Sequence, residues 1–135
     1  MIVREATAAD LDAVLALWES SRSAIAVTED RRETAEALSA EGALLVAESD
    51  GEVVGALIAA WDGWRGNMYR LAVVPALRRR GVASALVEAG HERLRSRGAT
   101  RVTALVGRED EVAKVLWRSA GYDEDGQISR FVRNL

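Results

Sequence analysis

The chain has 135 residues, 49% of them hydrophobic, a net charge of −3, no cysteine and one histidine. That length suits a single domain over residues 1–135, able to bury about two-thirds of its unfolded surface in one core. The missing cysteines exclude a disulfide framework, thiolate-bound zinc and a thiol nucleophile, and the acidic balance argues against broad nucleic-acid binding.

Ile2 to Glu5 reads as a first strand, followed by Thr7-x-x-Asp10 as a helix start, with Leu11, Val14, Leu15 and Trp18 recurring at helical spacing. Residues 21–29 break that pattern and read as a loop. Asp30 to Ala40 reads as a second, surface helix that ends near Gly42. Two β-runs follow, Leu44 to Glu48 and Glu52 to Trp61, and the Asp50-Gly51 pair between them is a strong hairpin signal. Asp62-Gly63 marks a second hairpin whose far strand runs from about Asn67 to Val74. A helix over residues 81–97, stopped by Gly98, leads to a strand from Arg101 to Val106, and strand, helix and strand should form a right-handed parallel unit. Asp110 to Ala120 is the last helix, ending at Gly121-Tyr122. A final hairpin is expected, with its turn at Asp123 to Gly126 and its return strand from Ile128 to Val132.

The stretch LAVVPALRRRGVASAL, residues 71–86, carries the chemistry. A short apolar strand meets Pro75, which cannot continue a ladder, and Arg78, Arg79 and Arg80 precede Gly81, where backbone can approach a ligand without a Cβ in the way. Val82, Ala83 and Ser84 then open a helix whose first N–H groups lack internal partners and carry the positive end of the macrodipole. Arginines at a helix start oppose the usual preference for acids there, so the arrangement suits an anion such as phosphate. Neither G-x-x-x-x-G-K-S/T nor G-x-G-x-x-G occurs here, which sets aside the common nucleotide-binding turns.

Arg78, Gly81 and Ala83 resemble the acyl-CoA signature Arg/Gln-x-x-Gly-x-Gly/Ala of the GCN5-related N-acetyltransferase (GNAT) superfamily, preceded as there by a V-x-P step. Asp110 to Tyr122 is similar to the family segment N-x-x-A-x-x-F-Y-x-x-x-G-F, with Ala113 at its alanine. The element order βααβββαβαββ also matches over essentially the whole chain. The hairpin W-D-G-W-R-G-x-x-Y-x-L-x-V-x-P resembles one group of small bacterial members.

This resemblance implies an α/β fold with a mixed central sheet flanked by helices. It implies acetyl-CoA as co-substrate, without a metal, and direct transfer of the acetyl group to an amine of a small metabolite or of a peptide N-terminus. The donor site it implies comprises Leu71, Val73, Arg78, Arg79, Arg80, Gly81, Val82, Ala83, Ser84 and Asp110, with the signature amides on the pyrophosphate and the preceding strand on the pantetheine arm. The backbone N–H of Val73 is the expected oxyanion donor. Two departures concern catalysis. Asn67, Met68, Tyr69 and Arg70 occupy the strand where many members carry a glutamate, and Trp117 stands at the position of the tyrosine that protonates the leaving thiolate. Glu29, Asp30 and Asp62 border the expected acceptor cleft, although each also fits a helix-start or hairpin role. Trp64, Arg65 and Tyr69, with Trp61, form the expected acceptor entrance, against the alternative of cross-strand packing.

No run reaches the ~18 apolar residues of a membrane span, and MIVREATAADL lacks the apolar core of a signal peptide. A cytoplasmic protein is therefore expected, with small-molecule or peptide partners, neither nucleic acid nor membrane, and a homodimer left open. With His91 as the sole histidine, a Ser/His/Asp triad is unfavourable, since Ser84 lies about 10 Å along the helix axis from it. His91 itself reads as packing or surface. A reading from another class is a non-catalytic acyl-CoA-binding sensor or regulatory module, and a third is an anion-binding structural protein.

Overall fold

The computed structural model describes residues 1–21, 32–133 and 135. The candidate acids Glu29 and Asp30, and nearly all of the loop expected at 21–29, lie outside the described residues. In chain order the elements are β1 (Ile2–Glu5), α1 (Leu11–Ser21), α2 (Arg32–Ala40), β2 (Leu44–Ser49), β3 (Glu52–Trp61), β4 (Gly66–Val73), α3 (Val82–Ser96), β5 (Val102–Ala104) and α4 (Glu111–Ser119).

The strands form one sheet in the order β1-β2-β3-β4-β5, antiparallel throughout except for the parallel β4/β5 pair. Asp50 (φ 52°) and Gly51 (φ 77°) both adopt the left-handed conformation that a two-residue hairpin of matching twist requires. Alternation along β3 sends Leu57 and Ala59 to a core on one face, which also holds Met68, Leu86 and Leu94, and sends Ala56 and Ile58 to a second core with Leu11, Val14 and Trp18. The sheet is thus covered on both faces, by α3 and by α1 with α2. Helix α3 lies close to the strands because Gly90 presents no side chain: a Cβ there would stand 2.6 Å from Met68 Cε.

Two irregularities shape the sheet. In β2/β3 the register shifts between Ala47 and Glu48, and in β3/β4 it shifts between Ala56 and Ile58. At the second, Leu57 alone faces Arg70 and Leu71, and Arg70 takes up the extra residue with φ 57°.

The expected C-terminal hairpin does not form: no described residue beyond α4 is in a strand. Ile128 and Phe131 are three apart, so an extended chain would send them to opposite faces, and they are 69% and 95% exposed. The segment expected as its turn is tied to α4 instead, where Glu124 accepts from Lys114 at 3.0 Å and from Arg118 at 3.2 Å. Helix α2 is described from Arg32, the first two residues of its expected span lying outside the described residues, and β5 is shorter than expected, while the order up to α4 is as read from the sequence. Among the described residues no helix is long and apolar enough to cross a membrane.

Candidate active site

The parallel pair β4/β5 holds together over only a short length. Gly66, Asn67 and Met68 face Val102, Thr103 and Ala104, and the last link is Leu105 N–H to Met68 C=O at 3.2 Å. Immediately afterwards comes the bulge at Arg70, and the strands no longer pair, so a cleft opens between Leu71–Val73 and the chain after Leu105. The opening carries oriented backbone groups. Val74 N–H bonds Val54 C=O at 2.9 Å and Ala72 stands opposite Ala56, so in an antiparallel ladder the N–H and C=O of Val73 point away from β3 and into the cleft. By the same alternation Leu71 faces the cleft as well.

At the far end of β4, Pro75–Leu77 form a 3-10 turn, Arg78 is extended, Arg79 has φ 63°, and Gly81 enters α3 with φ 84°. No side chain caps this helix, and its first internal bond is Ala85 N–H to Gly81 C=O at 3.0 Å. The amides of Val82, Ala83 and Ser84 therefore lack partners within the helix. Arg78, Arg79 and Arg80 are all exposed around them. A Cβ on Gly81 would meet nothing within 4 Å, so the protein demands glycine here for its φ alone, and the open space is available to a ligand. The end of strand pairing, an outward backbone N–H and an uncapped helix start preceded by three exposed arginines thus follow one another along β4 and into α3.

A model of the acetyltransferase (GNAT) family matches residues 11–122. The chain belongs to that family. A curated relative, Acetyltransferase ECA0875 of Pectobacterium atrosepticum, is 30% identical over 115 residues, covering 84% of this chain and 82% of that one. Two solved structures share the fold. The aminoglycoside 6'-N-acetyltransferase of Acinetobacter haemolyticus superposes with a TM-score of 0.76 at 22% identity, over 100% of this chain and 99% of that one. The ribosomal-protein-alanine N-acetyltransferase of Brucella melitensis gives 0.78 at 24% identity, over 93% and 86%.

The remaining expected residues of this GNAT chain divide by location. Asp110 is the N-cap of α4, and its Oδ1 accepts the Ala113 N–H at 3.1 Å, so its carboxylate is engaged within the protein. Trp117 is 6% exposed in the core beneath α3, with its ring edge-on to Tyr122 at 4.9 Å and 77°. Asp62 ties off its own hairpin: Oδ1 accepts from the Trp64 and Arg65 amides at 2.8 and 2.6 Å, and these bonds hold its carboxyl below the usual range. That is the hairpin role, and it leaves Asp62 a poor base.

At the hairpin tip Trp64 is 69% exposed, and the Arg65 guanidinium lies 4.1 Å over its ring. Tyr69 is not part of this tip. It packs half-buried in the α1-side core, where burial pushes its phenol up. The structure thus separates the residues read together as an acceptor entrance into an exposed tip and a packed phenol. Two features escaped sequence reasoning. The bulge at Arg70 has no local signal, because a left-handed arginine is not written in its neighbours. The contact of His91 with Tyr122 joins residues 31 apart in the chain.

Proposed function

We propose that this protein moves an acetyl group from acetyl-CoA directly to an amine, of a small metabolite or of a peptide N-terminus. The observation that carries the reading is the uncapped start of α3 at the end of β4, which offers a pyrophosphate the amides of Val82, Ala83 and Ser84 with Arg78, Arg79 and Arg80 just before them. Strand β4 offers an extended pantetheine arm the free edge of Leu71 and Val73. Gly81 leaves room for close approach, so the residues present fit the donor. Asp110 contributes by capping the start of α4.

In the reaction the donor supplies an activated thioester carbonyl. The Val73 N–H, fixed by the β3/β4 register, donates to the oxygen on which charge develops. Trp117 has an indole N–H, which can donate a hydrogen bond to a departing sulfur but cannot give up its proton near neutral pH. A thiol of pKa about 8.5 leaves tolerably as thiolate, so water can supply that proton. The acceptor must be neutral to attack. An α-amino group of pKa about 7.7 meets this far more readily than a lysine amine of pKa about 10.4. Arg65 over Trp64 favours an acceptor that carries a carboxylate or phosphate near its amine.

The experiment is acetyl-CoA consumption against a panel of amines and short peptides, with mass spectrometry of the products. An acetylated amine supports the reading. A second reading, a non-catalytic acyl-CoA sensor, draws on Trp117 in place of an acid and on the engagement of Asp62 in its own turn. Tight acetyl-CoA binding without turnover of any amine would favour the sensor.

A further inference from the structure

The sole histidine takes no part in the chemistry above, yet it is built into a defined chain of contacts. His91, on α3, brings Nε2 to 2.6 Å from the hydroxyl of Tyr122, just beyond α4. The two rings also stack, with centroids 5.7 Å apart and an interplanar angle of 18°. One turn earlier, Glu88 brings Oε2 to 3.6 Å from His91 Nδ1. A carboxylate can only accept, so it favours the tautomer with its proton on Nδ1, which leaves Nε2 to accept from the Tyr122 O–H. Burial pushes that phenol up to about 12, so it keeps its proton.

Tyr122 connects in two further directions. Its Oη lies 3.8 Å from Sδ of Met68, the last β4 residue paired with β5 before the cleft opens. Its ring meets Trp117 at 4.9 Å and 77°, an arrangement that fixes the orientation of both rings. Phenylalanine would satisfy the packing alone. The hydroxyl, held by the histidine, is what ties the ring to α3.

We propose that Glu88, His91 and Tyr122 are positioning residues that orient Trp117 for acetyl transfer, an inference that rests on the proposed reaction for its kinetic part. A neighbouring open depression of about 370 Å³, lined by His91, Arg101, Val102 and Ala120 to Asp123, gives small solutes access to the relay.

The test uses the full chain, labelled with nitrogen-15. Its four tryptophans give four indole N–H resonances, and that of Trp117 is identified by its loss in Trp117→Phe. Tyr122→Phe and His91→Ala should each move the Trp117 resonance and leave those of Trp18, Trp61 and Trp64 in place. With a working acceptor, both should lower kcat about three- to tenfold, the equivalent of one lost hydrogen bond, with the acetyl-CoA KM nearly unchanged. Added imidazole should restore His91→Ala by occupying the vacated space, and should do nothing for Tyr122→Phe. A Tyr122→Phe protein with native resonances and native kcat overturns the proposal. Should the native protein acetylate no amine, the transfer reading fails, while the resonance of Trp117 still decides the relay.

Discussion

Trp18 donates its indole N–H to the carbonyl oxygen of Arg70 at 3.0 Å, which fastens α1 to the one residue of β4 whose φ is positive. The Arg70 guanidinium lies 5.5 Å from the Trp18 ring, so the bulge is held at both its backbone and its side chain. This contact braces the point where β4 stops serving the sheet and starts facing the cleft.

Trp18→Phe removes the donor and leaves the Arg70 carbonyl without it, at a cost of about 1–3 kcal/mol. Thermal denaturation should register the loss. Amide exchange at Ala72 should quicken as the bulge loosens, and the acetyl-CoA KM should rise. A variant that is less stable but exchanges normally at Ala72 would show that the bulge does not depend on Trp18.

Gly81→Glu places a negative side chain at the uncapped start of α3 and should weaken acetyl-CoA at least about tenfold, or ~1.4 kcal/mol. Gly81→Ala is the control for backbone strain, since φ 84° disfavours any side chain by about 1 kcal/mol. Calorimetry on both folded variants separates the effects, because alanine should cost stability with a smaller loss of affinity. Equal affinity of Gly81→Glu and the native protein would remove the anion site.

Arg65→Ala should raise the acceptor KM and leave acetyl-CoA binding nearly as it was, because the Trp64–Arg65 stack is at the hairpin tip and away from the cleft. Steady-state kinetics with each substrate varied in turn provides the check. Loss of donor affinity at constant acceptor KM would assign the tip to the donor side.

Asp10 accepts from both terminal nitrogens of Arg4, at 2.7 and 3.0 Å, and from the Thr7 amide at 2.7 Å. The Arg4 hydrogen bonds, ahead of the Thr7 amide, lower its carboxyl from 3.8 to about 2. A depressed carboxylate stabilises the fold fully above its unfolded pKa, and that contribution fades as pH falls from about 4 towards 2. With Arg4 partly open to solvent, Asp10→Asn should cost about 1–2 kcal/mol at pH 7. Denaturation curves of the two proteins should converge as pH falls through that window.

What could be read in the sequence was what short spacing encodes. Asp50-Gly51 announced its turn because both conformations are left-handed, and Pro75 to Ser84 announced an anion-ready helix start because charge, glycine and strand end lie together. The tail misled, because a run of apolar residues suggests a strand even when Ile128 and Phe131 fall out of step. Asp62 could be placed in its hairpin, but only the observed bonds show its carboxylate fully engaged there. The bulge and the His91–Tyr122 contact depend on register and tertiary packing, for which no neighbouring residues give notice.

The outward-facing N–H of Val73 belongs to every amino acid except proline, so what β4 offers at this point is written in chain length rather than in side-chain identity. Apolar exchanges at Leu71 or Val73 should therefore leave that donor in place, whatever they cost in core packing, whereas inserting or deleting one residue between Ala56 and Ile58, or at Arg70, would turn that N–H back towards β3. The donor is robust to drift in composition and fragile to frame.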